Sequence, residues 1–306
     1  MNLQLTQMSG QTSQPPWKKT DNSYQDVVFV GGKPVLFKVD DKLNVDYELP
    51  IGGDFTISQK EVIGEFRRIF DLDFDLDRFY SYLKEDEKLS EIPKFCNGLR
   101  LFIAKNKFES IISSISSANN SIARWTKSMD LFKQKWGKKY TFSSGEFSAF
   151  PTLNVLDSCF EDPDEEFDFN NNLAIDECVN NLKSCGVGYR SKYIKGACEF
   201  FTSQMDIEDI SKMNYEEAFE VIQQVPGVGP KVADCILLYG YNFKQAFPCD
   251  VWIKRIISYL YFDGKDIPVS KVRDFGIDKF GDYAGYVQLY LFHYGRKSGL
   301  FDKLKK

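Results

Sequence analysis

The run Val225-Pro226-Gly227-Val228-Gly229-Pro230-Lys231-Val232-Ala233-Asp234-Cys235, followed nineteen residues after its lysine by Asp250, constrains this chain more than any other feature. Two glycines separated by one apolar residue stand between an upstream amphipathic segment and a downstream one that opens on Pro-Lys. That pattern describes a tight hairpin joining two helices. Backbone N–H groups at the start of the second helix then point outward, and with the helix dipole they form a seat for a phosphate. A nucleic-acid backbone is the natural occupant.

With 306 residues, 43% hydrophobic and 27% charged, the chain has material for two or three packed units of an ordinary soluble kind. No apolar stretch approaches the roughly 20 residues that span a bilayer. The first seventeen residues are polar and rich in Gln and Pro, unlike a secretory leader, so an intracellular protein is expected. Seven cysteines at irregular spacings read as reduced thiols. The formal charge of −5 opposes binding of a polyanion. Eight acidic residues and no basic one lie between residues 161 and 177, however, and the remainder of the chain is net positive. The acidic run is expected as a solvated loop turned away from the ligand.

The first hundred residues read as strands with short helices beside them. Segments 25–30 and 35–39 flank Gly31-Gly32, a two-residue hairpin turn. Pro34 cannot donate to a ladder, which places its strand at an edge or starts it after the proline. Residues 45–49 offer a third strand, and 61–70 and 76–83 have helical period. Beyond Phe102 nearly every segment is helical in pattern: 108–117, 121–136, 174–184, 191–203, 215–224, 231–239, 251–262 and 282–294. The expected class is α+β, an N-terminal antiparallel sheet domain over 1–100 followed by an all-helical region over 101–306, with the hairpin at 215–240.

Two residues in this framework carry chemistry. Lys231 stands in the first turn of a helix, where the positive dipole end and burial both disfavour an ammonium and leave an amine able to attack a carbon. Asp250 immediately precedes an apolar-periodic run and is a helix N-cap. Its carboxylate, held by backbone N–H groups, also suits stabilisation of positive charge and proton transfer. Taken alone, Lys231 would be a surface phosphate contact and Cys235, one turn further, a small core residue.

The string from Val225 through Asp250 resembles the helix-hairpin-helix DNA glycosylase superfamily, and in particular its lysine-bearing 8-oxoguanine glycosylase/lyase branch. The resemblance runs from about Gly10 to Arg296 and implies a catalytic pair, Lys231 and Asp250, with Gly227, Val228 and Gly229 on the DNA backbone. It implies that Cys235 lines the base pocket. Ser117-Ala118-Asn119-Asn120-Ser121-Ile122-Ala123-Arg124 is similar to the segment that probes the duplex, so Asn119 would fill the space left by the lesion and Arg124 contact the orphaned cytosine. On composition alone this stretch is an Asn-rich helix cap. In Gly186-Val187-Gly188-Tyr189-Arg190, Tyr189 would intercalate and Arg190 act beside Arg124. Gln288 and Phe292 share a helical face and would read the purine edge and stack on its ring. The stretch Ser9-Gly10-Gln11-Thr12 implies that the Gly10 carbonyl accepts the N7–H of oxidised guanine.

One departure stands beside the aspartate, where Trp252 replaces a histidine common in the family and offers stacking in the base pocket. No cysteine lies beyond Cys249 to hold the iron–sulfur cluster of some relatives, and His293 is the single histidine, so no metal or other cofactor is expected. The resemblance implies a monomeric bifunctional enzyme acting on double-stranded DNA with oxidised guanine opposite cytosine, away from membranes. Alternatives are a monofunctional glycosylase for alkylated bases, which would not need Lys231, and a non-catalytic helix-hairpin-helix DNA-binding module.

Overall fold

The computed structural model describes residues 1–20, 23–159 and 181–304. It opens on a short helix, α1 (Leu3–Gln7), capped by the Asn2 side chain. Strands β1 (Lys18–Lys19), β2 (Ser23–Val30), β3 (Lys33–Asp40) and β4 (Val45–Glu48) follow, antiparallel and in that spatial order. Gly31 and Gly32 hold φ of 56° and 77°, the positive values a two-residue hairpin turn needs, and the register runs from Val30↔Lys33 to Ser23↔Asp40. Pro34 lies inside β3, an interior strand, which corrects the expectation of an edge or a later start. Paired with Phe29 next to the turn-flanking pair, its nitrogen faces away from β2, and β4 reaches only to Leu36, so no ladder bond is lost.

Both faces of the sheet are covered. Helix α2 (Gln59–Ile69), started by a Ser58–Glu61 capping box, lays Val62, Phe66 and Ile69 on one face. Trp17 fills the middle of that layer, with ring centroids 5.4 Å from Phe70 and 6.1 Å from Phe37. On the other face, Val27 and Leu36 meet Phe142 of the hairpin β5 (Lys139–Phe142) and β6 (Gly145–Ser148), which the sequence reading did not foresee, and Ala149 just beyond it. The two larger cores meet at residues 101–103, where Phe102 packs with the sheet and Leu101 and Ile103 with the helices. Helix α3 (Leu76–Glu85) joins the helical core through Phe79 and Leu83.

The helical region comprises α4 (Lys107–Ser117), α5 (Ile122–Trp136), α6 (Leu153–Asp157), α7 (Ser191–Ser203), α8 (Tyr215–Ile222), α9 (Pro230–Cys235), α10 (Val251–Tyr261), α11 (Val269–Phe280), α12 (Ala284–Lys297) and α13 (Leu300–Lys303). Helix α4 is buried almost all round, the pattern of a helix that other elements enclose. The acidic run at 161–177 lies outside the described residues. So does the expected helix over 174–184 except for its last four residues, where a 3₁₀ turn begins at Leu182.

Two polar devices join the layers. The N-terminal glutamines are buried and replace missing backbone partners: Gln11 donates to the Arg100 carbonyl at 2.9 Å and accepts from Phe102 N at 2.8 Å, and Gln14 donates to the Ile103 carbonyl. Asp26 of β2, Lys105, Glu109 of α4 and Lys133 of α5 form a buried, charge-balanced cluster, with Lys133 3.1 Å from Asp26 and 3.3 Å from Glu109. Burial pushes the Asp26 carboxyl up, but the two ammonium groups outweigh it and hold it below the usual range. No described helix is long and apolar enough to cross a membrane.

Candidate active site

The hairpin is built by three separate constraints. A capping box between Asn214 and Glu217 starts α8, Val225 and Val228 are buried under the turn, and Pro230 opens α9. Gly227 holds φ +79°, and a Cβ there would lie 2.3 Å from the Tyr193 ring, so only glycine fits. Gly229 differs. Its φ is −91° and a Cβ would meet nothing within 4 Å, so its bare backbone leaves open space at the N-terminus of α9. That is where an approaching phosphate would need room.

Asp234, one turn into α9 and fully buried, fixes the hairpin from behind. It accepts from Arg273 of α11 at 2.6 and 3.1 Å and from the Tyr215 hydroxyl of α8 at 2.6 Å. Arg273 also reaches Tyr215 at 2.6 Å and covers the Phe219 ring at 3.9 Å. Both helices of the hairpin are thereby tied to a third. The sequence reading missed this network, although a buried carboxylate beside Lys231 demands a cation, and Arg273 is the one supplied.

Lys231 is half-buried on the first turn of α9, with its amine within hydrogen-bonding reach of the Cys235 thiol. Thr12, from the N-terminal segment, also comes near that thiol and lies 2.9 Å from the Ser114 hydroxyl. Burial pushes the Cys235 thiol up, and Lys231 and Thr12 draw it back only in part. Cys235 is therefore a neutral thiol beside the lysine. Asp250 caps α10 through Oδ1, which accepts from Trp252 N at 2.9 Å and Ile253 N at 2.8 Å. Its Oδ2 accepts no hydrogen bond among the described residues. Burial, with the Asp250 carboxylate nearby, raises the Tyr239 phenol well above its ordinary range. Lys231 thus reaches Cys235, and Tyr239, one turn beyond Cys235, lies within electrostatic range of Asp250.

The side chains that the sequence reading assigned to the base come from other elements. Gln288 of α12 is 6% exposed and faces the Tyr239 hydroxyl at 3.4 Å. Phe292, one turn on, is half-buried and meets Phe301 of α13 edge-on at 5.7 Å. Trp252 stacks on the same Phe301, centroids 4.3 Å apart, with the Arg255 guanidinium 5.3 Å from its own ring centre. Its ring is engaged within the protein, so its observed contact is to buttress Phe292 through Phe301. Gly10 holds φ +88°, and a Cβ there would fall 2.4 Å from Ile122. Arg296 clamps the preceding Ser9 carbonyl at 3.0 Å, while the Gly10 carbonyl accepts no hydrogen bond among the described residues.

On the outer surface, Asn119 and Arg124 are exposed, Asn119 with φ +50° at the turn before α5. Tyr189 is 51% exposed. Arg190 is different from the sequence expectation of a second outward arginine. It is 8% exposed, donates to the Ala118 carbonyl at 2.8 and 2.5 Å, to Asn119 O at 3.0 Å and to Val187 O at 3.2 Å, and lies 4.5 Å from the Tyr189 ring centre. The reason is the turn itself, whose carbonyls have no helical partner and take the guanidinium.

The chain is similar to known proteins over its whole length. Residues 1–111 match the N-terminal domain family of 8-oxoguanine DNA glycosylase, and residues 112–276 match the HhH-GPD superfamily of base excision DNA repair proteins. The chain is 41% identical to a probable N-glycosylase/DNA lyase of Methanothermobacter thermautotrophicus, over 100% of this chain and 96% of that protein. It is 25% identical to an N-glycosylase/DNA lyase of Saccharomyces cerevisiae over 93% of this chain and 80% of the other. Among solved structures, the Clostridium acetobutylicum 8-oxoguanine glycosylase/lyase, in complex with double-stranded DNA containing cytosine opposite 8-oxoguanine, superposes with a TM-score of 0.76 at 28% identity. That match covers 97% of this chain and 92% of that one. With full-length identity of 41% to a glycosylase/lyase and the HhH-GPD match over more than half its length, the chain belongs to the 8-oxoguanine DNA glycosylase/lyase family of the HhH-GPD base excision repair superfamily.

Proposed function

We propose that this enzyme flips 8-oxoguanine out of double-stranded DNA, where it is paired with cytosine, removes it through a covalent bond to Lys231 and then nicks the strand. The observations that support the reading are that the Lys231 amine lies within reach of the Cys235 thiol, and that Tyr239, one turn beyond that cysteine, lies within electrostatic range of Asp250, whose cap uses only Oδ1 among the described residues.

The steps follow from these positions. The Lys231 nitrogen forms a bond to C1′ as the C1′–N9 bond breaks, and the departing purine takes a proton. Positive charge that builds on the sugar lies beside Asp250, whose Oδ2 is unspent. The hemiaminal ether so formed loses its N–H proton and the ring oxygen leaves C1′ with a proton gained, giving the imine. Removal of a C2′ proton then expels the 3′-phosphate by β-elimination, and water later frees the lysine. In this reading the Gly10 carbonyl accepts the N7–H of the lesion, Gln288 reads its Watson–Crick edge, and Cys235 and Phe292 enclose the ring.

Around the vacated site, Asn119 enters the stack, Tyr189 wedges beside it and Arg124 binds the orphaned cytosine. Arg190 joins that contact only by giving up carbonyls it now holds. The bare backbone of Gly227 to Gly229 receives the neighbouring phosphate. The protein acts on this reading as a monomer without a cofactor.

The test is borohydride trapping on duplexes carrying 8-oxoguanine opposite each of the four bases, with the parent, Lys231→Gln and Asp250→Asn. The parent should cross-link most with cytosine opposite, and Lys231→Gln should not cross-link. Base release by the parent without any cross-link would exclude the covalent route.

A further inference from the structure

Tyr239 lies on a π-helical turn, Ile236–Gly240, that continues α9 beyond Cys235. Such turns shift the side chains that follow by about one residue and recur at functional sites. Here the backbone is held in place: the Tyr239 carbonyl accepts from Ala104 N at 2.8 Å, and Gly240 lies so close to α4 that a Cβ would be 3.2 Å from the Ser110 hydroxyl. The phenol is consequently carried inward, 5% exposed, onto the amide of Gln288.

Among the described residues, the Tyr239 hydroxyl and the Gln288 amide are each other's sole hydrogen-bond partners, with Oε1 accepting at 3.4 Å. The distance is long for an O–H···O bond, as such contacts often are before substrate binds. Burial and the nearby Asp250 oppose loss of the phenolic proton, so Tyr239 remains a donor. That decides something an amide cannot decide alone. A glutamine turned by half a rotation exchanges its acceptor for its donor. Turned that way, Gln288 would face the phenol with an NH₂ group and leave the buried O–H without an acceptor.

A guanine-type edge presents the O6 acceptor beside the N1–H donor. An adenine-type edge presents the reverse, an N6–H₂ donor beside the N1 acceptor. An amide fixed in one sense pairs with the first and opposes the second.

We propose that Tyr239 is a specificity-determining residue: by donating to Gln288 Oε1 it locks the amide, so that the pocket accepts 8-oxoguanine and refuses 8-oxoadenine. The inference rests on Gln288 being the base reader, as in the proposed function. Both lesions carry the same oxidised C8 edge, so a sensor for that edge cannot make this distinction.

The experiment compares single-turnover cleavage of 8-oxoguanine, 8-oxoadenine and a preformed abasic site, each opposite cytosine, by the parent, Tyr239→Phe, Gln288→Leu and the double variant. Tyr239→Phe should lower the 8-oxoguanine to 8-oxoadenine rate ratio by about tenfold, slow abasic-site cleavage less than 8-oxoguanine removal, and add no further loss of the ratio in the Gln288→Leu background. Equal loss on both lesions, an unchanged ratio, or a matching loss on the abasic site would overturn the proposal. A parent that cleaves abasic sites but removes neither lesion would instead overturn the assignment of 8-oxoguanine as substrate.

Discussion

Arg273 and Asp234 meet through two N–H···O contacts, of 2.6 and 3.1 Å, behind the helix that carries Lys231. The carboxylate is fully buried and the guanidinium nearly so, which makes the pair a clamp on the hairpin and also a liability if broken. Arg273→Met should cost about 3–5 kcal/mol of stability, because it strands a buried charge. Replacing both partners, as Asp234→Leu with Arg273→Met, should recover most of that loss. Chemical unfolding of the single and double variants measures both effects, and a double variant no better than the single would refute the account.

The two hairpin glycines should separate folding from binding. Gly227→Ala must place a methyl against Tyr193 at a left-handed φ, and is expected to cost about 1–3 kcal/mol. Gly229→Ala meets no protein atom within 4 Å, so its unfolding curve should overlay that of the parent. Its affinity for duplex DNA, read by fluorescence anisotropy, should nevertheless fall, since the methyl would occupy the proposed phosphate seat. Undiminished binding by Gly229→Ala would remove the phosphate seat from that position.

Arg190 and Arg124 should likewise behave differently despite their similar sequence context. Arg190→Met leaves the carbonyls of Ala118 and Asn119 without their donors, and should lower stability by about 1–3 kcal/mol. Arg124→Ala is at an exposed first-turn position, where substitution should change stability by less than about 0.5 kcal/mol. It should instead weaken the preference for cytosine opposite the lesion. Thermal unfolding together with cleavage rates opposite cytosine and adenine distinguishes the two outcomes.

The parts of the site that were legible in the sequence are those where local chemistry and position coincide. Asp250 is an N-cap because it precedes an apolar-periodic run, and the structure gives it that bond to Trp252 N and Ile253 N. Gly31-Gly32 dictates its turn by needing two positive φ values. What escaped depends on partners distant in sequence. Helix α11 has no capping side chain and carries Gly276 within it, yet it forms because Gly276 lets the Phe247 ring approach and Arg273 finds Asp234. Gln14 and Trp17 belong to a stretch read only as polar, yet both are buried, since their amide and ring satisfy the 100–103 segment and the sheet. Arg190 turned inward for the same reason: nothing in Gly-Tyr-Arg announces the carbonyls of a turn 72 residues earlier.

His293, the single histidine, makes a final prediction about acid. It is 3% exposed on α12, and its Nδ1 is buried without a hydrogen-bond partner among the described residues. Burial, with smaller contributions from Arg296 and Lys297, pushes its pKa down to about 4 from an ordinary value of 6.5. The unfolded chain therefore binds this proton more readily than the folded one, so stability is complete above pH 6.5 and declines as the pH falls towards 4. By the linkage relation the decline is no more than about 3 kcal/mol. The carboxylates whose pKa is held down in the fold lose their contribution lower on the scale: Glu48, held at about 2 by Lys38 and Ser144 against its burial, acts between pH 4.5 and 2. Denaturant midpoints from pH 7.5 to 4.5 should thus fall in the parent and stay nearly flat in His293→Leu. Parallel curves for the two proteins would mean that the imidazole titrates freely and that its burial has been misread.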